Sequence, residues 1–559
     1  MSALPSVVDR REALRRRSPH WRPQSLACWV DNCAAENGSR PMVLTEDRAL
    51  SYHDVAEQSR QLADGLVALG VEPGDRVGIV MANYPEFAAI KFAIARAGAI
   101  AVPMNYLYRA EELRFVVADS GCRVVITMTE FAGLRYPDML RGMPGEPTVV
   151  LLDTDGRAPP GALTVPDLAA LGHRHGGASS EIVVDPLSAS DMLYTSGTTG
   201  SPKGVLVSHD AVLRTAYASA LTRAYEDGRR ILFSLPCYHM FGYIEGLLSA
   251  MFVGGAIIPL TKFSAKSYFA GIEHHRATDM LCVPTMAVAM LEDPARIEYD
   301  LSSLTAILCG SAPAPVWLWE AIEADFGVSE IVTGYGMTEC GGAMTLTLPE
   351  DPLTLTSETA GRPKMAGCAG VDGTDDLVVY KAVDPETGAD VPAGAEGELV
   401  SRGPTVMLGY WNRPAETAAA LRNGWLHSGD LGRVPADGYL RVTGRSKELY
   451  KSGGELVMPK EIEDLLEARD DISQAFAIGL LDERWGEIGC AVVVRVPGSH
   501  ITEDDVLHYC RENLARFKVP KRVVFCRAEE LPTTTTGKVQ KFRLVQQLGS
   551  TPWDADSKS

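Results

Sequence analysis

The stretch SYHDVAEQSRQLADGLVALGVEPGDRVGIV at residues 51–80, continued by MANYPEFAAIKFAIARAGAIAVPM at 81–104, decides the fold. Between His53 and Leu69, the apolar residues Val55, Leu62, Leu66 and Leu69 share one helical stripe, and Pro73-Gly74-Asp75 then turns the chain into a strand from Arg76 to Met81. Pro85 to Gly98 reads as the next helix and Ile100 to Pro103 as the next strand. Strands alternating with helices of this length pair in parallel, since each helix carries the chain back across the sheet. The same rhythm returns between Asp191 and Thr333.

After Thr333 the texture changes to short β-like runs at Leu377 to Ala382, Gly397 to Ser401 and Tyr439 to Thr443, separated by Gly, Pro and Asp turns, which predict a small β subdomain. Beyond Lys447 a third texture begins: Pro459 starts a helix bearing Ile462, Leu465 and Leu466, and Thr502 with Asp505 starts another bearing Val506, Leu507, Cys510 and Leu514. The fold class is therefore α/β. A large N-terminal domain of layered α/β sheets with a small β subdomain is expected over 1–446, and a small α+β C-terminal domain over 447–559.

The 559 residues, 46% hydrophobic and 22% charged, have a globular composition that excludes a disordered or collagen-like chain. Lys and Arg number 53 against 72 Asp and Glu, a net charge of −19. Such a surface repels phosphate backbones, so no nucleic-acid partner is expected, and an anionic ligand must be held by local chemistry. The 11 cysteines, scattered from Cys28 to Cys526 without a C-x-x-C pair, argue against a disulfide framework and point to a reducing compartment. Met1 to Gln24 carries Arg10, Arg11, Arg15, Arg16, Arg17 and Arg22 with no apolar run behind them, which predicts a surface arm and not a secretory signal. Ala88 to Met104, interrupted by Lys91 and Arg96, falls short of the ~20 apolar residues of a bilayer span. The expectation is a soluble cytoplasmic protein without a transmembrane segment; a homodimer stays open.

The chemistry is concentrated in Leu193-Tyr194-Thr195-Ser196-Gly197-Thr198-Thr199-Gly200-Ser201-Pro202-Lys203-Gly204. Its glycines expose backbone N–H groups, its hydroxyls donate to anionic oxygens and Lys203 adds a positive charge, a combination suited to a polyphosphate. The Walker spacing is absent. Further motifs follow in order: Tyr238-His239-Met240-Phe241-Gly242, Gly310-Ser311-Ala312-Pro313, Thr333-Gly334-Tyr335-Gly336-Met337-Thr338-Glu339, Gly429-Asp430, Gly444-Arg445-Ser446-Lys447 and Thr536-Gly537-Lys538.

In these residues the chain resembles the adenylate-forming superfamily of acyl-CoA synthetases, adenylation domains of peptide synthetases and beetle luciferases, roughly from residue 40 to 545. The resemblance implies ATP, Mg²⁺ and CoA as cofactor and co-substrates, with a small carboxylic acid as the remaining partner. It assigns Thr195, Ser196, Gly197, Thr198, Thr199, Lys203, Gly310, Ser311, Ala312, Pro313, Gly334, Tyr335, Gly336, Met337, Asp430 and Arg445 to ATP or AMP, and Glu339 with Thr198 to the metal. Lys538, Thr338, Glu339 and His239 take the catalytic roles. Met240, Phe241, Gly246, Gly341 and Gly342 border the acyl group, and Lys451, Ser452, Gly453, Gly454, Glu455 and Lys541 face CoA. Lys447 is the implied hinge about which a mobile C-terminal domain rotates between acyl-AMP formation and thioester formation.

Each role has its own physical reason. A carboxylate attacking the ATP α-phosphorus needs an in-line approach and neutralisation of spreading charge, and the compact ammonium of Lys538 suits both. Glu339 offers the hard oxygen that Mg²⁺ prefers beside phosphates. Asp430 can accept both ribose hydroxyls, and Tyr335 offers a π face to adenine. Small residues near the acyl site, Gly242 and Gly246 among them, leave room for a tunnel and favour a medium- or long-chain fatty acid; Glu245 beside them keeps an aryl or functionalised acid open. The basic run Arg516 to Lys521 is read as a surface for CoA phosphates or as solvated charge. A fatty acyl-AMP ligase loading a carrier protein, a luciferase-like oxygenase and a non-catalytic nucleotide-binding regulator are the rival readings.

Overall fold

The computed structural model describes residues 4–195, 202–311, 314–385, 387–445, 450–482, 485–496, 498–532, 539 and 541–549. Residues 4–106, 110–194 and 203–444 form one compact unit, and the chain from Arg445 onward forms the bulk of a second.

In the large unit, Ser51 and Asp54 close a capping box at the start of helix Tyr52–Ala68, which buries Val55, Leu62 and Leu66. The chain then enters strand Arg76–Val80, paired in parallel with Ile100–Met104 on one side and Cys122–Met128 on the other. They form the middle of an eight-stranded sheet that runs, in order, Gly409–Tyr410, Lys203–Ser208, Ala189–Thr195, Ile100–Met104, Arg76–Val80, Cys122–Met128, Thr148–Leu152 and Leu163–Thr164. A second, seven-stranded sheet is built on the parallel strands Glu330–Val332, Ala306–Cys309, Asp279–Cys282, Arg230–Phe233 and Ala256–Pro259. These central strands are apolar and buried along nearly their whole length, as strands covered on both faces must be. The β texture after Thr333 forms a three-stranded sheet of Gly334–Met337, Gly342–Leu346 and Arg362–Pro363, and a five-stranded sheet that includes Val379–Val383, Glu396–Arg402 and Trp425–Arg433.

The small unit pairs Ile472–Asp482 antiparallel with Gly486–Arg495, which in turn pairs in parallel with Arg522–Cys526. Helices Pro459–Glu467 and Glu503–Asn513 begin at Pro459 and behind Thr502, and they bury Ile462, Leu466, Val506, Leu507 and Cys510 in one core. Among the described residues, no helix is long and apolar enough to cross a membrane.

The arginine-rich N-terminus departs from the expected surface arm. Val7–Arg17 is a helix in which Arg10 and Arg11 are buried. Arg10 forks onto Glu330, and Arg11 donates to the Leu221 and Thr222 carbonyls at 3.3 and 2.8 Å while pairing with Glu350. These carbonyls close helix His209–Thr222, whose C-terminal partial charge favours a cation. The partners of Arg10 and Arg11 lie more than 200 residues away, so a local charge count sees a solvated run.

The start of the same helix carries a titration signature. His209 is 1% exposed, its Nδ1 accepts the Leu26 backbone N–H at 3.3 Å, and burial, reinforced by Lys91, pushes its pKa down to about 3 from 6.5. The folded protein holds this imidazole neutral, and the unfolded chain takes up the proton below about 6.5. Its stabilising contribution is therefore complete above pH 6.5 and is lost as pH falls towards 3, at up to ~1.4 kcal/mol per pH unit. Urea midpoints measured from pH 7 to 4 should fall more steeply for the wild type than for His209→Gln; parallel acid limbs would contradict the assignment.

Candidate active site

Strand Lys203–Ser208 and the antiparallel pair Gly334–Met337 with Gly342–Leu346 carry Lys203 and Tyr335 and lead to Glu339, three of the expected site residues. Gly336 has no room for a side chain: a Cβ there would overlap the Gly342 carbonyl and stand 2.4 Å from the Ala343 Cα. That close approach holds the strand pair shut, and the chain turns from Met337 into a 3₁₀ turn, Thr338–Cys340, that carries Glu339.

Glu339 is 9% exposed, and Tyr410 donates its hydroxyl to Oε1 at 3.0 Å. Lys203 places its ammonium 5.1 Å from the centre of the same Tyr410 ring, a cation–π contact. Burial raises the carboxyl pKa above its usual value; the Tyr410 hydrogen bond and the Lys203 charge oppose that rise, and the Asp430 charge adds to it. A buried carboxylate whose ionised form is penalised in this way gains from a divalent cation. Among the described residues no group of three or more His, Cys, Asp or Glu side chains converges, so phosphate oxygens would have to complete a magnesium shell around Glu339. The donor set fits that ion. Tyr410 escaped the sequence reading because Gly409-Tyr410-Trp411 has no charge or nucleophile to single it out; its role follows from the pairing of Gly409–Tyr410 with Val205 and Leu206.

Asp430, 8% exposed, accepts the Tyr335 hydroxyl at 2.6 Å through Oδ2. Its backbone N–H donates to Ser428 Oγ at 3.0 Å, and Gly429, at φ +74°, donates its N–H to Glu398 Oε1 at 3.1 Å. Glu398 also holds His427 Nδ1 at 2.8 Å. Tyr335 was expected to offer a face to adenine; the structure adds that its hydroxyl aims Asp430. Glu398 and His427 lacked any sequence signal, because the contact joins two strands of the small sheet.

The Tyr238–Gly242 segment is positioned by Asn83. Its Oδ1 accepts the Cys237 N–H at 2.9 Å, and its amide donates to the Leu235 and Leu260 carbonyls at 2.9 and 3.3 Å. His239 Nδ1 accepts the Phe241 N–H at 3.2 Å, which leaves Nε2 as the protonated nitrogen. Phe241–Leu248 continues as a π-helix, a rare widening that recurs at functional sites. Gly341 and Gly342 occupy φ values of +80° and +117°, and a Cβ at Gly342 would stand 3.6 to 3.8 Å from Met240, Ile244 and Thr215. A Cβ on Gly310 would stand 3.5 Å from the Phe241 ring, and Ser311 beside it holds φ +75°, a left-handed conformation that a non-glycine residue adopts under constraint.

Two of the small residues expected to leave room for a tunnel, Gly242 and Gly246, are close-packed. A Cβ on Gly246 would meet the Phe233 ring at 2.6 Å, and one on Gly242 would meet the Leu235 and Pro236 carbonyl oxygens at 2.5 and 2.6 Å. Both glycines admit their own neighbours, so neither opens a void. Glu245 is buried at 1% exposure against Lys364.

In the small unit, Lys451 and Ser452 pair with Leu456 and Glu455 across a two-residue turn in which Gly453 and Gly454 hold φ +60° and +88°. A hairpin of this type requires positive φ at both positions, so the turn alone accounts for the glycines. Lys451 donates its backbone N–H to Glu487 at 2.6 Å. Lys541 pairs with Glu463 and Lys518 with Glu461, both at 2.7 Å, and Lys521 lies 4.4 Å from the Trp485 ring centre, so these cations are engaged within the unit. Ser196, Gly197, Thr198, Thr199, Ala312, Pro313, Lys447 and Lys538, with the Arg445 side chain, lie outside the described residues; Thr195 ends the strand Ala189–Thr195.

Residues 30–411 match the AMP-binding enzyme family, and residues 461–538 match the AMP-binding enzyme C-terminal domain. The chain belongs to this adenylate-forming family and is of the acyl-CoA synthetase type. It is 35% identical over 534 residues to a feruloyl-CoA synthase of Amycolatopsis sp, covering 94% of this chain and all of that one. It is 34% identical over 513 residues to the long-chain-fatty-acid–CoA ligase FadD13 of Mycobacterium tuberculosis, covering 90% and 94%. Among solved structures, the amide bond synthetase McbA from Marinactinospora thermotolerans superposes with a TM-score of 0.80 at 25% identity, covering 94% and 99%.

Proposed function

We propose that the protein joins a carboxylic acid to CoA through an acyl-AMP intermediate, releasing pyrophosphate and AMP. The observation that carries this reading is the paired arrangement of Asp430 with Tyr335 and of Glu339 with Tyr410 and Lys203, which draws a carboxylate suited to ribose, a hard oxygen ligand and a cation from three different sheets. In the first step a carboxylate oxygen attacks the α-phosphorus and the bond to pyrophosphate breaks; in the second a thiol attacks the acyl carbon and AMP leaves. Asp430 orients the ribose, Lys203 offsets phosphate charge and His239 presents Nε2–H towards the acid carboxyl. A magnesium ion on Glu339 supplies charge neutralisation at the phosphates when bound. Lys538 bridges the attacking carboxylate and the α-phosphate, and Lys447 provides the pivot of a mobile C-terminal domain; both roles rest on the motif resemblance.

The relatives act, by name, on acids as different as a feruloyl group and a long fatty chain. The buried Glu245–Lys364 pair beside the Tyr238–Gly242 segment supports an aryl or functionalised acid over a long saturated one. The test is mass-spectrometric product analysis with ATP, Mg²⁺, CoA and a panel of acetate, hexanoate, octanoate, palmitate, benzoate and cinnamate. Acyl-CoA with AMP is expected from the shorter or aryl members. Accumulation of acyl-AMP without thioester would remove CoA as the acceptor and leave a carrier protein or an amine in its place.

A further inference from the structure

Helix His209–Thr222 and the residue after it present Thr215, Ser219 and Arg223 at four-residue spacing, hence on one face, and all three are buried. Thr215 Oγ1 stands 3.3 Å from where a Cβ on Gly341 would be, so this polar stripe starts at the wall already assigned to the acyl group. About 6 Å further along the helix, Lys364 Nζ lies 2.6 Å from Glu245 Oε1 and donates to Ser219 Oγ at 2.5 Å, and Ser219 Oγ lies 3.0 Å from the same Oε1. Glu245 is 1% exposed and Lys364 is fully buried.

Glu245 Oε2 has no hydrogen-bond partner among the described residues, and neither has Arg223 Nε, whose charge acts on Glu245. A buried carboxylate oxygen left without a donor costs ~1–3 kcal/mol or more, and a hydrocarbon tail laid against it supplies none. A hydroxyl supplies the donor and can also accept from a nearby N–H. Glu245 follows His239 by six residues and lies on the π-helix that continues the Tyr238–Gly242 segment.

We propose that Glu245, Lys364 and Ser219 form the polar end of the acyl site, and that the acid carries a hydroxyl or comparable hydrogen-bond donor at the end distal to its carboxyl group. The proposal rests on the acid-activating reading above and narrows its substrate class. Its test uses the full chain with acids matched in all but the distal group: 4-hydroxycinnamate, cinnamate and 4-methoxycinnamate, with 8-hydroxyoctanoate against octanoate. Acid-dependent AMP release is read as kcat/KM.

The wild type should favour the hydroxyl member of each pair by about 10- to 100-fold. Glu245→Gln keeps an acceptor for Lys364 but offers an N–H₂ in place of Oε2, so it should lose that preference and favour the methoxy acid. Equal use of each pair by the wild type would overturn the proposal, as would an unchanged preference in Glu245→Gln; either result would leave Oε2 to a structural water. The wild-type ratios decide the matter alone should the variant fail to fold. AMP release from none of these acids, nor from the acetate-to-cinnamate panel, would remove the ligase reading itself, a result distinct from unselective turnover.

Discussion

Lys538→Ala lowers the rate of acyl-AMP formation by about 10²- to 10³-fold while transfer from supplied acyl-AMP to CoA stays near the wild-type rate. The asymmetry follows from where charge develops. Attack on the α-phosphorus spreads negative charge over oxygens that a compact ammonium can bridge, whereas thiol attack on the acyl carbon places it elsewhere. Pyrophosphate release from acid and ATP reads the first half-reaction; thioester formation from synthetic acyl-AMP reads the second. Equal losses in both would assign Lys538 to folding or domain docking.

Asp430→Ala raises the KM for ATP by about 10²-fold or more, because two hydrogen bonds from ribose hydroxyls to a charged acceptor contribute ~1.5–3 kcal/mol each. The substitution also leaves the Tyr335 hydroxyl without its 2.6 Å acceptor. Tyr335→Phe separates the two effects: it removes the aiming contact but keeps the carboxylate, and should raise KM by only a few-fold. A purely structural Asp430 would lower the melting temperature in both variants and leave the KM for ATP unmoved.

The layered α/β plan was legible because apolar periodicity and cap chemistry are local. Ser51 with Asp54 and Thr502 with Asp505 form capping boxes within four residues, and the parallel strands are unbroken apolar runs. The phosphate loop and Asp430 stood out in the sequence because polar residues in a fixed order have few structural uses; Ser196 to Ser201 of that loop lie outside the described residues. What escaped was non-local. Tyr410 meets Glu339 across 71 residues, Lys364 meets Glu245 across 119, and Arg10 meets Glu330 across 320. Glycines also have structural uses of their own: Gly453 and Gly454 satisfy a hairpin turn, and Gly246 yields its space to Phe233. A missing side chain signals close approach without saying by what.

The central claim, an acyl adenylate, is tested most directly by isotope transfer. An acid labelled with ¹⁸O in both carboxylate oxygens is turned over with ATP, Mg²⁺ and CoA, and the AMP is weighed. Attack through a carboxylate oxygen, followed by thiol cleavage of the acyl C–O bond, leaves one ¹⁸O on the AMP phosphate and the other in the thioester. Unlabelled AMP, or label recovered in inorganic phosphate or pyrophosphate, would contradict the account.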